Sequence, residues 1–212
     1  FQNMVKNEPL LKPYFGAKVI AIKKKEKGWK IEFISSNQTF TLFAKIVIDA
    51  TELGDIAARV GIPYDIGMDS RQAYGEDIAP EKENDVIQDL TYVMILKDHA
   101  KDMTIEKPEG YDPEVFYCAS ESDHCKMGEK MNRTLWPKDS LLSYGRLPNG
   151  KVMINWPING NDYYTNAIKQ TEEERHQSFE KAKLKSLQFL YYLQTELGFN
   201  TYGLVDDEFP TD

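Results

Sequence analysis

A short acidic turn between an apolar run and a helical segment has the residue types to bind a nucleotide. The apolar run occupies residues 46–48 (Ile-Val-Ile), and the turn occupies residues 49–55 (Asp-Ala-Thr-Glu-Leu-Gly-Asp). A strand that ends in small and acidic residues directly before a helix brings backbone amides and a helix N-terminus to one point, which suits a phosphate or a ribose. Asp55 would then accept a hydrogen bond from a sugar hydroxyl. The alternative is structural: Asp55 caps the helix at residues 56–60, and Gly54 provides a turn.

A second stretch, residues 144–162, combines aromatic, amide and basic side chains at a density that turns do not require. Its arginine is able to pair with a substrate carboxylate, and its asparagines with a tryptophan would form a polar and aromatic wall. The alternative is a hairpin with a Pro-Asn-Gly turn at residues 148–150 and a buried tryptophan. The candidate substrate-side residues are Tyr144, Arg146, Asn155, Trp156, Asn159 and Asn161.

Strands and one helix must position the first turn. Between residues 17 and 44 apolar and polar residues alternate with a period of two, as at Trp29, Ile31 and Phe33, which predicts an antiparallel meander. The continuous apolar run at residues 46–48 predicts a strand buried on both faces. The segment at residues 56–60 is expected to be helical.

The second half predicts another strand, an excursion and a long helix. Residues 90–96 are apolar and are expected to form a strand, whereas residues 97–132 contain several prolines and glycines and are expected to form a surface excursion. A helix is predicted at residues 171–197, because Thr171 and Glu174 form a capping-box pattern and Gly198 stands at a C-cap position.

The composition limits the classes of partner. The chain has 212 residues, of which 41% are hydrophobic and 28% charged, an ordinary globular composition with enough residues for a sizeable core. A net charge of −8 disfavours duplex nucleic acid and anionic membranes, because phosphate binding needs clustered Lys and Arg. The basic run at residues 23–25 is expected to be a solvated hairpin end. No run approaches the ~18 consecutive apolar residues of a membrane span.

The two cysteines leave two states open. Cys118 and Cys125 are compatible with one disulfide or with two free thiols, and their spacing is not that of a Cys-x-x-Cys site. His124 and His99 offer further ligands, but a tetrahedral metal site needs four convergent ligands with characteristic spacing. Structural packing is therefore the favoured role of these residues.

Several long motifs resemble one enzyme family. The stretch IVIDATELGDIAARVGIPYDIG at residues 46–67 is similar to the strand, turn and helix of bacterial FAD-dependent oxidoreductases in the glutathione-reductase-like superfamily. YGRLPNGK at residues 144–151, INWPINGND at residues 154–162 and DDEFPT at residues 206–211 resemble the same family. Two departures stand out: Glu52-Leu53 replaces a Gly-Asp step that many relatives have, and no Gly-x-Gly-x-x-Gly occurs in the sequence.

The resemblance implies a cofactor site and a place for each part of the chain. The residues that would approach the pyrophosphate and the ribose or ribityl side of FAD are Ala50, Thr51, Gly54 and Asp55. The asparagine and tryptophan wall of the second stretch would face the flavin ring. We expect the chain to be a middle part of a longer flavoprotein that binds FAD, whereas this part alone is expected to be inactive and without FAD.

The resulting prediction is a mixed α+β fold. Residues 1–62 would form part of a split FAD-binding domain, with the antiparallel meander and its return strand, and residues 63–212 a β-rich substrate-side domain with one long C-terminal helix. The expected function is hydride transfer between flavin and a small organic substrate, with sugar-derived compounds as one class. The expected partners are that substrate and the remaining N- and C-terminal segments of the parent chain. The alternative is a cofactor-free, β-rich module that binds carbohydrate or protein.

Overall fold

The chain divides into two compact units, and the first contains a sheet of three antiparallel strands. The computed structural model describes residues 2–126 and 135–207, and the units are residues 1–83 and 84–212. The strands are β1 (Lys18–Lys25), β2 (Gly28–Ser35) and β3 (Gln38–Ala44), in the order β1-β2-β3. The predicted meander is confirmed.

The meander forms because its alternation places apolar side chains on one face. Phe33 on β2 is buried, and its ring lies 5.3 Å from Phe40 of β3 and 4.9 Å from Tyr14, measured between ring centroids. Aromatic pairs at such distances add to the stabilisation from burial alone. These rings hold the end of the sheet nearest the β2–β3 turn.

Three short helices complete this unit. They are α1 (Gln2–Lys6), α2 (Asp55–Arg59) and α3 (Arg71–Tyr74). The helix predicted at residues 56–60 is therefore confirmed as α2. The guanidinium of Arg59 donates a hydrogen bond of 2.6 Å from Nη1 to the carbonyl of Val19, which fixes α2 to β1.

The predicted strand at residues 46–48 is not formed. These residues are outside any assigned strand, and the side chains of Ile46 and Ile48 are 78% and 85% exposed. Val47 and Asp49 face the other way and line a small cleft with Ile22 and Ile56. A continuous apolar run is buried on both faces only where strands pair with it, and no strand among the described residues does so.

Among its described residues the second unit contains two sheets and two α-helices. In the larger sheet β5 (Met94–Asp98) lies between β6 (Lys151–Ile154) and β8 (Tyr202–Leu204); in the smaller one β4 (Leu90–Thr91) pairs with β7 (Asp162–Tyr163). The apolar run at residues 90–96 is thus shared between two sheets rather than forming one strand. The α-helices are α4 (Asp139–Tyr144) and α5 (Glu172–Thr195), and 3-10 helices occur at Pro113–Phe116 and Pro148–Gly150.

The N-terminus of α5 has the capping box that the sequence predicts. The Glu174 amide donates to Thr171 Oγ1 at 3.3 Å, and the Thr171 amide donates to Glu174 Oε2 at 2.8 Å. Gly198, which follows the helix, has a φ of 80°, a conformation that glycine adopts readily. The long C-terminal helix is confirmed, with its predicted N-terminus, and it ends at Thr195, two residues before the predicted end.

The core of the second unit lies between α5 and the larger sheet. Its buried hydrophobic residues are Met94, Leu96, Phe116, Ala119, Leu141, Val152, Ile154, Trp156, Phe189, Leu190, Tyr192 and Leu193. Phe116 and Ala119 belong to the segment expected to be a surface excursion, so that expectation is wrong for this part. The Pro, Gly and polar residues around them in the sequence are typical of exposed loops, so the local composition does not predict that these two residues are buried. A disulfide joins Cys118 to Cys125, the first of the two states left open.

The mixed α+β class is confirmed by these antiparallel sheets and the long C-terminal helix. The chain divides into compact units between residues 83 and 84. The boundary expected between residues 62 and 63 concerns function rather than compactness, and it stays a prediction. Within the described ranges, none of the helices has the length and apolar character needed to cross a membrane. No group of three or more His, Cys, Asp and Glu residues suited to a metal occurs there either.

Candidate functional site

The carboxylate of Asp49 organises the acidic turn. Its Oδ1 accepts hydrogen bonds from the Thr51 amide at 2.9 Å and from Thr51 Oγ1 at 2.8 Å, and its Oδ2 accepts one from the Ala57 amide at 2.8 Å. Thr51 Oγ1 in turn accepts a hydrogen bond of 2.8 Å from the Asp55 amide. Asp49 and Thr51 therefore occupy amides at the start of α2 that have no partner within the helix.

Gly54 occupies the N-cap position of α2. Its φ is 67° and its ψ 31°, in the left-handed region that glycine enters at low cost. Asp55 is consequently the first residue of the helix rather than its N-cap. The capping role that the structural alternative gave to Asp55 is therefore performed mainly by the side chains of Asp49 and Thr51.

These hydrogen bonds change the titration of Asp49. The Thr51 amide, the Ala57 amide and the Thr51 hydroxyl, in that order, hold the pKa of the Asp49 carboxyl below its usual range. Because the folded-state pKa is below that of an unfolded aspartate, the stabilisation is complete above the unfolded pKa. It is lost as the pH falls through the folded pKa.

We predict that Asp49→Ala will loosen the turn without unfolding the sheet. Amide hydrogen exchange at Ala57 should become faster by about tenfold at neutral pH, because its acceptor is removed. Glu52→Ala is the matched control, since Glu52 is exposed on the same turn. Equal exchange rates in the two variants would show that Asp49 does not hold the turn.

The four predicted cofactor residues lie together on this turn. Ala50 and Thr51 are exposed, whereas Gly54 and Asp55 are half-buried. The side chains of Ile46 and Ile48 extend the exposed side of the segment that leads into the turn. The turn is thus a stiff, open corner at the end of an apolar edge.

The predicted substrate-side residues divide into an exposed group and a buried one. Tyr144, Arg146 and Asn159 are exposed, and Asn155 is half-buried. The predicted hairpin at residues 148–150 exists in a short form, since the Leu147 amide donates to the Lys151 carbonyl at 2.9 Å. Of the exposed group only Arg146 lies on this hairpin, whereas Tyr144 ends α4 and Asn159 follows β6.

Trp156 and Asn161 belong to the core. The indole Nε1 of Trp156 donates to the carbonyl of Ala119 at 2.7 Å. Asn161 Oδ1 accepts from the Trp156 amide at 2.9 Å, and its Nδ2 lies 3.3 Å from the carbonyls of Tyr92 and Ile154 and from Ser186 Oγ. Asn161 is completely buried, so its side chain links β6, residue 92 and α5. These contacts give both residues a structural role.

Two glycines of the second stretch allow close backbone approach. A Cβ atom on Gly145 would lie 1.8 Å from the Met153 carbonyl oxygen, and one on Gly160 would lie 2.3 Å from the Trp156 carbonyl oxygen. No side chain fits at either distance. The glycines of this motif therefore serve the packing of the hairpin and of Trp156.

An aromatic cluster next to these residues includes one member that sequence analysis missed. Trp136, Tyr144 and Trp156 form three edge-to-face pairs with ring centroids 5.4 to 5.9 Å apart. Trp136 is 42% exposed and Tyr144 59% exposed, while Trp156 forms the buried base. No local pattern around Trp136 signals this contact. Asp49 was missed too, although Asp-x-Thr is a spacing at which aspartate often accepts a hydrogen bond from the backbone two residues on.

A comparison with protein families identifies a relationship over almost the whole chain. The model of the FAD dependent oxidoreductase family matches residues 1–211. A search of curated proteins and a search of solved structures found no match. The family match covers both the acidic turn and the hairpin with its aromatic cluster.

Proposed function

Because the chain belongs to the FAD dependent oxidoreductase family, we propose that the full-length polypeptide transfers a hydride between a small organic substrate and its flavin. The observation that carries this proposal is the stiff, exposed corner at residues 49–55, at the end of an apolar edge. A corner of this kind is suited to one side of the binding site of a large ligand, with neighbouring parts of the protein forming the rest of the site.

The turn fits the sugar side of FAD better than its pyrophosphate. Two amides at the start of α2 are already bonded to Asp49 and Thr51, so they are not available to phosphate oxygens. We therefore assign Ala50, Thr51, Gly54 and Asp55 to the ribose or ribityl chain. Its hydroxyls would donate to the Asp55 carboxylate and to the remaining lone pair of Thr51 Oγ1, whose proton is already donated to Asp49. Pyrophosphate binding is left to a glycine-rich loop elsewhere in the parent polypeptide.

The apolar edge favours further chain segments as partners. Ile46 and Ile48 expose most of their side chains, which is costly for neighbouring large aliphatic residues. We propose that N- and C-terminal segments of the parent polypeptide cover this edge. Such a cover would bury residues 46–48 on both faces, as their continuous apolar sequence predicts.

The protein's own contribution to the reaction is orientation and electrostatics. The flavin, when bound, supplies the redox chemistry. Asp49 fixes the corner that would hold the cofactor, and Arg146, which is exposed, would pair with a substrate carboxylate. Asn155 and Asn159 would donate hydrogen bonds to substrate hydroxyls. This set of groups favours a polar substrate such as a sugar acid.

The visible absorption spectrum of the purified full-length protein tests the proposal. A flavoprotein absorbs at about 450 nm, and denaturation should release FAD in a ratio near one per chain. A colourless, folded full-length protein would contradict the proposal. It would favour the alternative of a cofactor-free carbohydrate- or protein-binding module instead.

We predict that Asp55→Ala in the full-length protein will weaken flavin retention by about tenfold, because a carboxylate acceptor for a sugar hydroxyl is lost. Released FAD is measured by fluorescence after dialysis. Glu52→Ala, an exposed acidic residue on the same turn, should retain flavin normally. If both variants retain it equally, Asp55 does not contact the cofactor.

A further inference from the structure

The end of the β1–β2 hairpin carries a concentration of positive charge that the proposed flavin chemistry does not use. Residues 18–45 contain seven lysines and two glutamates, although the whole chain has a net charge of −8. Four of these lysines lie at the hairpin end and at the neighbouring end of β3: Lys24, Lys25, Lys27 and Lys45. We call this group the basic hairpin end.

Glu26 lies in the turn between Lys25 and Lys27, but it forms no ion pair with the lysines of the basic hairpin end, which keep a net positive charge. By contrast, Lys30 on the same sheet forms an ion pair with Glu32, with 2.5 Å between Nζ and Oε1. Within the described ranges, no carboxylate oxygen lies within 4.0 Å of the four ammonium groups. Lys24 instead lies over the ring of Trp29, 5.9 Å from its centroid.

An apolar cleft lies among these lysines. Its volume is about 290 Å³, and its walls combine three of the lysines with apolar groups: Lys25, Lys27, Gly28, Trp29, Phe43, Ala44 and Lys45. No acidic residue lines it. Phe43 is 75% exposed, an unusual position for a phenylalanine beside unpaired cations.

These features match an acidic segment of a partner protein. An enclosed cavity would favour a small molecule, but this cleft is shallow and smaller than most such sites. An exposed aromatic ring surrounded by cations offers an anchor for one apolar side chain and ion pairs for its neighbours. We propose that the basic hairpin end docks an acidic peptide segment, with an apolar side chain against Phe43 and flanking carboxylates on Lys25, Lys27 and Lys45.

This surface adjoins the proposed flavin corner, because Trp29 lines both this cleft and the small cleft that Asp49 lines. The extended residues 46–48 connect the two, since Lys45 precedes them and the turn follows them. A partner on the basic hairpin end would therefore contact the chain beside the segment that leads to the corner. The proposal does not depend on whether flavin binds there.

Peptide binding to the full-length protein tests the proposal. The probes are fluorescein-labelled Glu-Glu-Phe-Glu-Glu, the same peptide with alanine in place of phenylalanine, and Lys-Lys-Phe-Lys-Lys. We expect the first to bind most tightly, with an affinity that falls as salt is added. Absence of saturable binding of the first peptide up to about 1 mM would overturn the proposal.

Matched variants separate the cleft from general charge. The triple variant Lys25→Glu, Lys27→Glu and Lys45→Glu should bind the acidic peptide at least about tenfold more weakly. The control triple variant changes Lys6, Lys12 and Lys82 to glutamate, which gives the same charge change outside the cleft. Equal losses in both variants would overturn the assignment, and circular dichroism verifies that both are folded.

A further variant tests the anchor. Phe43→Ser should weaken binding of the phenylalanine peptide but leave the alanine peptide nearly unchanged. If Phe43→Ser affects neither, the cleft takes no apolar side chain and the proposal fails. Inorganic pyrophosphate is the last competitor: displacement of the peptide at equal concentrations would assign the lysines to a phosphate ligand and overturn the peptide proposal.

Discussion

Asn161→Ala is expected to lower the free energy of unfolding by about 3 kcal/mol. Asn161 is completely buried, and its removal leaves the Trp156 amide without its acceptor. The Ile154 carbonyl also loses a donor, whereas the Tyr92 carbonyl keeps its bond from Ser186 Oγ. The cavity that remains adds to the loss, because a close-packed core closes around it only in part.

Asn159 provides a matched control for this variant. It is exposed two residues away, and its φ of 47° makes glycine the suitable replacement. Asn159→Gly should keep the midpoint of denaturant unfolding close to that of the original protein. If Asn161→Ala instead loses activity with an unchanged midpoint, its role is in substrate binding and not in the core.

The pair shows why the candidate substrate residues were hard to separate from the sequence. Both asparagines belong to one Asn-Gly-Asn motif, and nothing local distinguishes the exposed residue from the buried one. The distinction comes from Tyr92 and Ser186, which are distant in sequence. Burial of a polar residue depends on such remote partners, so local pattern does not predict it.

Local patterns succeeded where the cause was local. The meander follows from alternation within each strand, and α5 begins where Thr171 and Glu174 cap it. The capping interaction spans three residues, a distance that a sequence window covers. Such elements are fixed largely by residues next to one another.

The strand predicted at residues 46–48 is not formed, because its burial depends on residues outside the local sequence. Its composition predicts a doubly buried strand, but burial needs neighbouring strands, and none of the described residues supplies one. Helix α2 shows a related effect, because one of its capping groups is Asp49, eight residues before Ala57. A short capping window does not include that bond.

Reduction of the Cys118–Cys125 disulfide is expected to destabilise the second unit by about 2.5 kcal/mol. The bridge spans seven residues, and closing a loop of that size removes conformational freedom from the unfolded chain by about this amount. A thermal scan with and without a dithiol reductant should show a lower midpoint in the reduced protein. Cys118→Ser with Cys125→Ser should reproduce that midpoint and be insensitive to the reductant.

The loss should reach the aromatic cluster, because the bridged loop holds two of its members. The carbonyl of Ala119 accepts the indole hydrogen bond of Trp156, and the amide of Glu121 donates to the carbonyl of Trp136 at 2.9 Å. Loosening the loop would admit water to both indoles and shift their fluorescence to longer wavelength. Trp29→Phe removes the emission of the third tryptophan, in the first unit.

This fluorescence shift separates a local role from a global one. If the bridge supports the cluster, reduction below the unfolding temperature shifts the emission, and Tyr144, which contacts both indoles, loses its fixed position. An unchanged emission with a lower midpoint would mean that the bridge acts only on the unfolded chain. The exposed aromatic surface beside Arg146 would then keep its geometry in a reducing compartment as well as in an oxidising one.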